Sequence, residues 1–323
     1  MTATRVPRRD HAVATRRSSF SAGDRVFRAV SVTAATVVLV AMAAIAVFLV
    51  IRSVPAIRQD TTNFLTTRAW LPEEARPIFG IAALLFHTVV TSALAMIIAV
   101  PVAVGVALFT TFYAPRRLSA GLGYLVDLLA AVPSVIYGLW GFFFLAPNIT
   151  GLTLWLSRWL GWTGIVHYRL NNTPNNLSDL TAGVVLAIMI LPIVSSITRE
   201  VFRQVPRDQV EAALAIGATR WEMIRTAVLP FGRSGVVSAA ILGLGRALGE
   251  TLAVAIILAP AYTISVHLTE GGGITFASNI ALKYSEASEL GIGALLGSGL
   301  CLFAITLGVN FGAQLLIRRR KEA

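Results

Sequence analysis

The chain has 323 residues, 56% of them hydrophobic and only 13% charged, with a mean hydropathy of +0.74. Soluble domains carry about 25% charged residues, so this excess of apolar side chains excludes an ordinary water-soluble fold. The formal charge of +11 and the pI near 10.9 do not mark a nucleic-acid-binding protein, because the basic residues sit where apolar runs end and form no face or stripe.

Residues 1–28 read as a cytoplasmic N-terminal tail. They are rich in Arg, Ser and Thr and poor in large apolar residues, a composition suited to a mobile segment near anionic headgroups. A spanning helix needs about 20 predominantly apolar residues. Six stretches qualify: Ala29–Ile51, Phe79–Phe112, Ser119–Pro147, Leu180–Thr198, Ser234–Pro260 and Leu290–Ile317. The first, at 29–51, is longer than the apolar core of a signal peptide and reads as a retained anchor. An external loop, 52–78, follows it. The second and third exceed the bilayer and must tilt, kink or protrude. Pro101 and Pro133 are their kink sites.

Placing the N-terminus inside puts 19 of the 27 Lys and Arg residues in cytoplasmic segments and seven outside. By the positive-inside rule both termini are then cytoplasmic, residues 318–323 forming the C-terminal tail. Trp155, Trp159 and Trp162 share one face of a short external helix suited to the membrane interface. The tripeptides at Asn148, Asn171 and Asn176 match the glycosylation pattern but are short enough to arise by chance. Cys301 stands alone, so an internal disulfide is impossible and a cysteine-based metal site is not expected.

The connection after the fourth span is the most patterned segment. Asp208-Gln-Val-Glu211 reads as an N-cap carboxylate with an acid at the third helical position, and Thr219-Arg-Trp-Glu222 reads the same way and fits a capping box. Gly217 lies between them, where a first helix ends in a left-handed residue, and Pro230 closes the second. Val210, Ala213 and Leu214 line one face of the first helix. Trp221, Ile224 and Val228 line one face of the second. Such faces dock either on the chain's own helices and the membrane surface or in a groove of another protein.

Three charges fall within spans: Asp127, Arg246 and Glu250. Each is costly there, by about 2.5–3.5 kcal/mol at the centre. Arg246 lies about 18 Å into its span at 1.5 Å per residue. Its i,i+4 spacing to Glu250 puts both on one face, where they pair. The pair, joined by Asp127, either fixes helix packing or lines an anion path, for which the planar guanidinium fork is suited. His87 reads as a packed or interfacial residue. Gly243, Gly245 and Gly249 lack the dinucleotide spacing and follow no strand. Gly245 and Gly249, four apart, instead read as a helix-packing pair. The sequence contains no Walker A pattern, no zinc-protease motif and no serine-hydrolase elbow, so the chain supplies no ATP hydrolysis of its own.

Glu211-Ala212-Ala213, then Gly217, and later Leu229-Pro230 closely resemble the EAA loop of ABC importer permeases. In that family the loop is the coupling helix that docks on the nucleotide-binding subunit, which implies that role for Glu211, Ala212, Ala213, Gly217, Trp221, Leu229 and Pro230. The family carries a large aliphatic residue three places before the proline; here Ala227 stands there, with Val228 beside it. Val132-Pro-Ser-Val-Ile-Tyr-Gly-Leu-Trp-Gly141 and Leu242-Gly-Leu-Gly-Arg-Ala-Leu-Gly-Glu-Thr251 are similar to phosphate-specific permeases, the PstC family more than its PstA partner. The likeness runs through most of residues 79–317. It implies an all-α fold of six transmembrane helices, the type I importer permease fold. It also implies a place in a bacterial plasma membrane and passage of inorganic phosphate. The implied partners are a second permease subunit, an ATPase dimer that binds ATP and Mg, an external phosphate-binding protein, and membrane lipid. Arg246, Glu250 and Asp127 become the expected substrate path, and no cofactor or metal belongs to this chain.

Overall fold

The computed structural model describes residues 22–166 and 176–319. The tail up to residue 21, the segment holding Arg169 and Asn171–Thr173, and residues 320–323 lie outside the described residues. Two compact units are present, residues 1–48 and 49–323. Helix α1, Ala22–Gln59, begins in the first unit, where it is a single helix whose most apolar stretch is 0% buried. That is the exposure of a surface made for lipid or another protein.

The second unit is helical apart from a two-stranded hairpin, β1 (Trp70–Leu71) and β2 (Ile78–Phe79). These strands pair antiparallel, Trp70 opposite Phe79. Then come α2 (Ala82–Leu108), α3 (Arg116–Ala130), α4 (Ser134–Trp140), α5 (Ala146–Asn148), α6 (Thr150–Leu160) and α7 (Asp179–Arg203). After these follow α8 (Arg207–Ala215), α9 (Arg220–Met223), α10 (Leu229–Leu248), α11 (Leu252–Ile257), α12 (Phe276–Lys283) and α13 (Glu289–Arg319). Five helical stretches are long and apolar enough to cross a membrane, or six if one bent pair counts as a span.

Helix α7 is the axis. In α7, 67% of the most apolar window is buried, against 22–28% for the stretches containing α2, α10 and α13. The main core joins Ala95 and Ala99 of α2, Tyr137 of α4, Leu186 and Ile190 of α7, and Val254 and Ile257 of α11. A second core at the hairpin end gathers Trp70, Phe79, Leu84, Phe276 and Leu295, with Cys301 packed at its edge.

Two predicted spans are broken. The third bends by 91° between Arg117–Ala130 and Ser134–Asn148, a break where a kink was expected. Pro133 caps α4 in an extended conformation (ψ 138°), and its ring excludes helical geometry from Val132. Pro101, by contrast, is carried inside an unbroken α2. The fifth span stops at Leu248, resumes at Leu252 and ends at Ile257, short of the predicted Pro260. Gly243, not the Gly245–Gly249 pair, makes the close helix contact: a Cβ there would lie 2.7 Å from Val194 of α7, whereas Gly245 faces open space. The external helix α6 forms as predicted, with Trp155 and Trp159 exposed. Trp162 lies beyond it on a 3-10 turn, Gly161–Thr163, and is exposed as well.

Candidate functional site

The α7–α10 connection is a built surface. Helix α8 ends in a Schellman motif: the Ala218 N–H donates to the Ala213 carbonyl at 3.2 Å and the Gly217 N–H to the Leu214 carbonyl at 3.0 Å. Gly217 takes the left-handed φ of 88° that this motif requires. Thr219 and Glu222 then close a reciprocal capping box at the start of α9. Its members are the Thr219 N–H donating to the Glu222 carboxylate at 2.8 Å and the Glu222 N–H donating to Thr219 Oγ1 at 3.3 Å.

Three of the sequence expectations for this loop fail. Pro206, not Asp208, stands at the N-cap of α8, and Asp208 sits in the first turn, where its charge still opposes the helix dipole. Pro230 does not close the second helix. The helix runs on through a π turn, Ile224–Val228, into α10, and the widened turn accommodates the N–H that Pro230 lacks. The predicted faces also divide. Ile224 and Val228 are fully buried with Met223 against Ala107, Phe202 and Val205, and Val210 and Ala213 pack on the same cluster. Leu214 and Trp221 turn outward, 43% and 58% exposed, beside Ile216 at 87%. Val228, not Ala227, fills the buried place. Arg220 adds an anchor: its guanidinium donates to the Phe112 carbonyl at 3.4 Å and lies 6.0 Å over the Tyr113 ring.

One side of the loop is therefore fixed to the ends of α2 and α7. The other presents Leu214, Ile216 and Trp221 with the exposed Glu211 and Ala212. Large apolar side chains are thus held outward on a doubly capped turn, the kind of surface that can take part in protein contacts.

The second candidate region is where the two broken spans meet. Helices α4 and α11 approach so closely that a Cβ on Gly138 would lie 2.8 Å from the Ala253 Cα. Each break satisfies its backbone locally. The Tyr137 hydroxyl donates to the Leu129 carbonyl at 2.8 Å. The Ala253 N–H donates to the Glu250 carboxylate at 3.2 Å, and the Thr251 hydroxyl to the Gly249 carbonyl at 3.1 Å. The expected Arg246–Glu250 pair is absent, because α10 ends at Leu248 and the i,i+4 relation does not survive the break. Glu250 is buried and caps α11, while Arg246 is exposed with no ion-pair partner among the described residues. Asp127 does not join them: it accepts from the Arg199 guanidinium of α7 at 3.2 Å, the carboxylate side 56% exposed.

One buried pair was not foreseen. His87 on α2 lies 2.8 Å from Asp179, the first residue of α7, and its Nε2 donates to the Thr263 carbonyl at 2.8 Å. It joins two spans to the segment that follows α11. The partners are 92 positions apart, so no sequence spacing marks them.

The comparisons agree with this architecture. Residues 99–322 match the family model of binding-protein-dependent transport system inner membrane components. A Mycobacterium tuberculosis protein named phosphate transport system permease protein PstC 2 is 48% identical, over 90% of this chain and 91% of its own. A Xylella fastidiosa PstC is 38% identical over 100% and 99%. Among solved structures, a chain of the MetNI methionine ABC transporter in inward-facing form superposes with TM-score 0.53 at 15% identity, covering 73% of this chain and 95% of that one. A chain of a bacterial alginate importer gives 0.54 at 18%, covering 74% and 79%. These neighbours share the fold, that of type I ABC importer permeases. With an inner-membrane transport domain over most of its length and relatives this close over nearly all of it, the chain belongs to the PstC family of phosphate transport system permeases, multi-pass membrane proteins.

Proposed function

We propose that the chain is one translocation subunit of an importer that carries inorganic phosphate across the bacterial plasma membrane on ATP hydrolysed by a separate subunit. The observation that carries this reading is the α8–α9 turn, anchored on one side and exposing Leu214, Ile216 and Trp221 on the other. Glu211, Ala212, Ala213, Gly217 and Trp221 form the ATPase-coupling surface. Leu229 and Pro230 begin the helix that carries its motion to the broken span. Both termini and this loop face the cytoplasm, a reading that the distribution of basic residues supports. The partners are an ATPase dimer binding ATP and Mg, a second permease subunit and an external phosphate-binding protein. This chain itself serves as the passage and holds no nucleotide.

In the passage Arg246 is the anion contact. It stands at the end of α10 beside the break, free of any carboxylate, and a guanidinium offers a phosphate two parallel hydrogen bonds. Glu250 and Tyr137 hold the two breaks in shape around it; Asp127 contributes through Arg199 by fixing α3 on α7. The test is ATP-dependent uptake of radiolabelled phosphate by the reconstituted transporter. Arg246→Met should lower uptake roughly ten- to a hundredfold, the range of a lost charged hydrogen bond of about 1.5–3 kcal/mol, with Arg246→Lys in between. Uptake by Arg246→Met equal to that of the native chain in a fully assembled complex would refute the contact, and uptake without an ATPase subunit would refute the whole reading.

A further inference from the structure

We propose that the cleft between the C-terminal half of α2 and the start of α10 binds the headgroup of an anionic phospholipid. The cleft has a volume of about 370 Å³ and opens to the surface. Its walls are apolar, formed by Val104 of α2 with Leu229, Val236 and Val237 of α10. Its polar groups are two guanidinium side chains, Arg225 and Arg233.

Three arginines of neighbouring elements are engaged elsewhere. Arg199 faces Asp127, Arg203 faces Glu200, and Arg220 lies over Tyr113. Arg225 and Arg233 are exposed and have no ion-pair partner among the described residues. Two uncompensated cations over an apolar wall match a molecule with a phosphodiester at one end and hydrocarbon at the other. The guanidinium forks take the phosphate oxygens, and the valine wall takes the first carbons of the acyl chains. A free, hydrated phosphate has no use for that wall.

The position fits as well. The cleft lies where the apolar run of α10 begins, and the orientation proposed above, on which this assignment rests, puts it at the cytoplasmic leaflet. Basic pockets between spanning helices on that face hold anionic headgroups. None of Leu214, Ile216 and Trp221 lines the cleft, although Trp221 stands one turn before Arg225 on the same helix.

The full-length chain, purified with its accompanying subunits, is exchanged into phosphatidylcholine vesicles with or without phosphatidylglycerol, extracted again and weighed by native mass spectrometry. The native chain should retain phosphatidylglycerol in preference to phosphatidylcholine. Arg225→Gln and Arg233→Gln should each lower that retention about fivefold, and together about thirtyfold, as expected for about 1 kcal/mol per basic residue near an anionic surface. Arg203→Gln should retain the lipid, as should the charge-conserving Arg225→Lys, Arg233→Lys double variant to within a fewfold. Retention by the double Gln variant equal to native overturns the proposal. So does displacement of the lipid by orthophosphate, which would make the cleft a site for the free anion, or cross-linking of both positions to another subunit. The weighing needs neither ATP nor transport. A chain that retains the lipid but moves no phosphate overturns only the transport reading, and one that moves phosphate but retains no lipid overturns only this one.

Discussion

Replacing Gly217 by alanine isolates one physical cause. A Cβ at this position would meet nothing within 4 Å, so no contact is made or lost. What changes is the backbone: φ is 88°, and an L side chain in the left-handed region costs roughly 1–2 kcal/mol. The Schellman bonds of Gly217 and Ala218 to α8 depend on that conformation. If the turn must hold this shape to meet the ATPase, binding of the ATPase subunit to the permease should weaken about 5- to 30-fold. Gly217→Asn should lose less, since asparagine tolerates the left-handed region. Gly105→Ala is the control: it too faces open space, but inside α2 with an ordinary helical φ, where the exchange gains about 0.5–1 kcal/mol. The assay is titration of the purified ATPase subunit onto each permease in lipid nanodiscs. Equal affinity for the native chain and Gly217→Ala, or a larger loss for asparagine than for alanine, would refute the argument.

The buried His87–Asp179 pair should behave as a structural tie. His87→Leu leaves the Asp179 carboxylate buried without its partner and should cost about 3–5 kcal/mol, while His87→Leu with Asp179→Leu should recover most of it. Thermal unfolding in detergent reads both, and equal losses in the single and double variants would contradict the assignment. Gly138→Ala should disrupt the packing of α4 on α11, because its Cβ meets backbone at 2.8 Å, an overpacking cost of about 1–3 kcal/mol. Gly121→Ala, facing open space on α3, should leave the size-exclusion profile unchanged, and equal profiles for the two variants would count against the close contact.

The α8–α9 connection was legible because its signals are local. Thr219 and Glu222 stand three apart, Gly217 ends a short helix, and each needs only its neighbours to act. The faces were legible in part. Helical spacing put Trp221, Ile224 and Val228 together, but spacing alone does not say which of them meets Phe202 and Val205 across the chain. Nor does it show that the helix widens at Ile224–Val228 and continues through Pro230. His87 was readable as a packed residue, yet its partner Asp179 was not, since their meeting is a consequence of how α2 lies on α7.

The breaks in the third and fifth spans escaped a count of apolar residues for a definite reason. Inside a membrane a helix can stop only where its freed backbone groups find partners, and those partners are few and ordinary. Tyr137 serves the first break, Glu250 and Thr251 the second. None of them lowers mean hydropathy enough to end a predicted span. The consequence for the site is larger than the shift of a boundary. With Glu250 committed to its own backbone, Arg246 is left exposed, with no ion-pair partner among the described residues. A packing role through Glu250 needs the ion pair that the break has removed, so the guanidinium is left available for the anion contact proposed above.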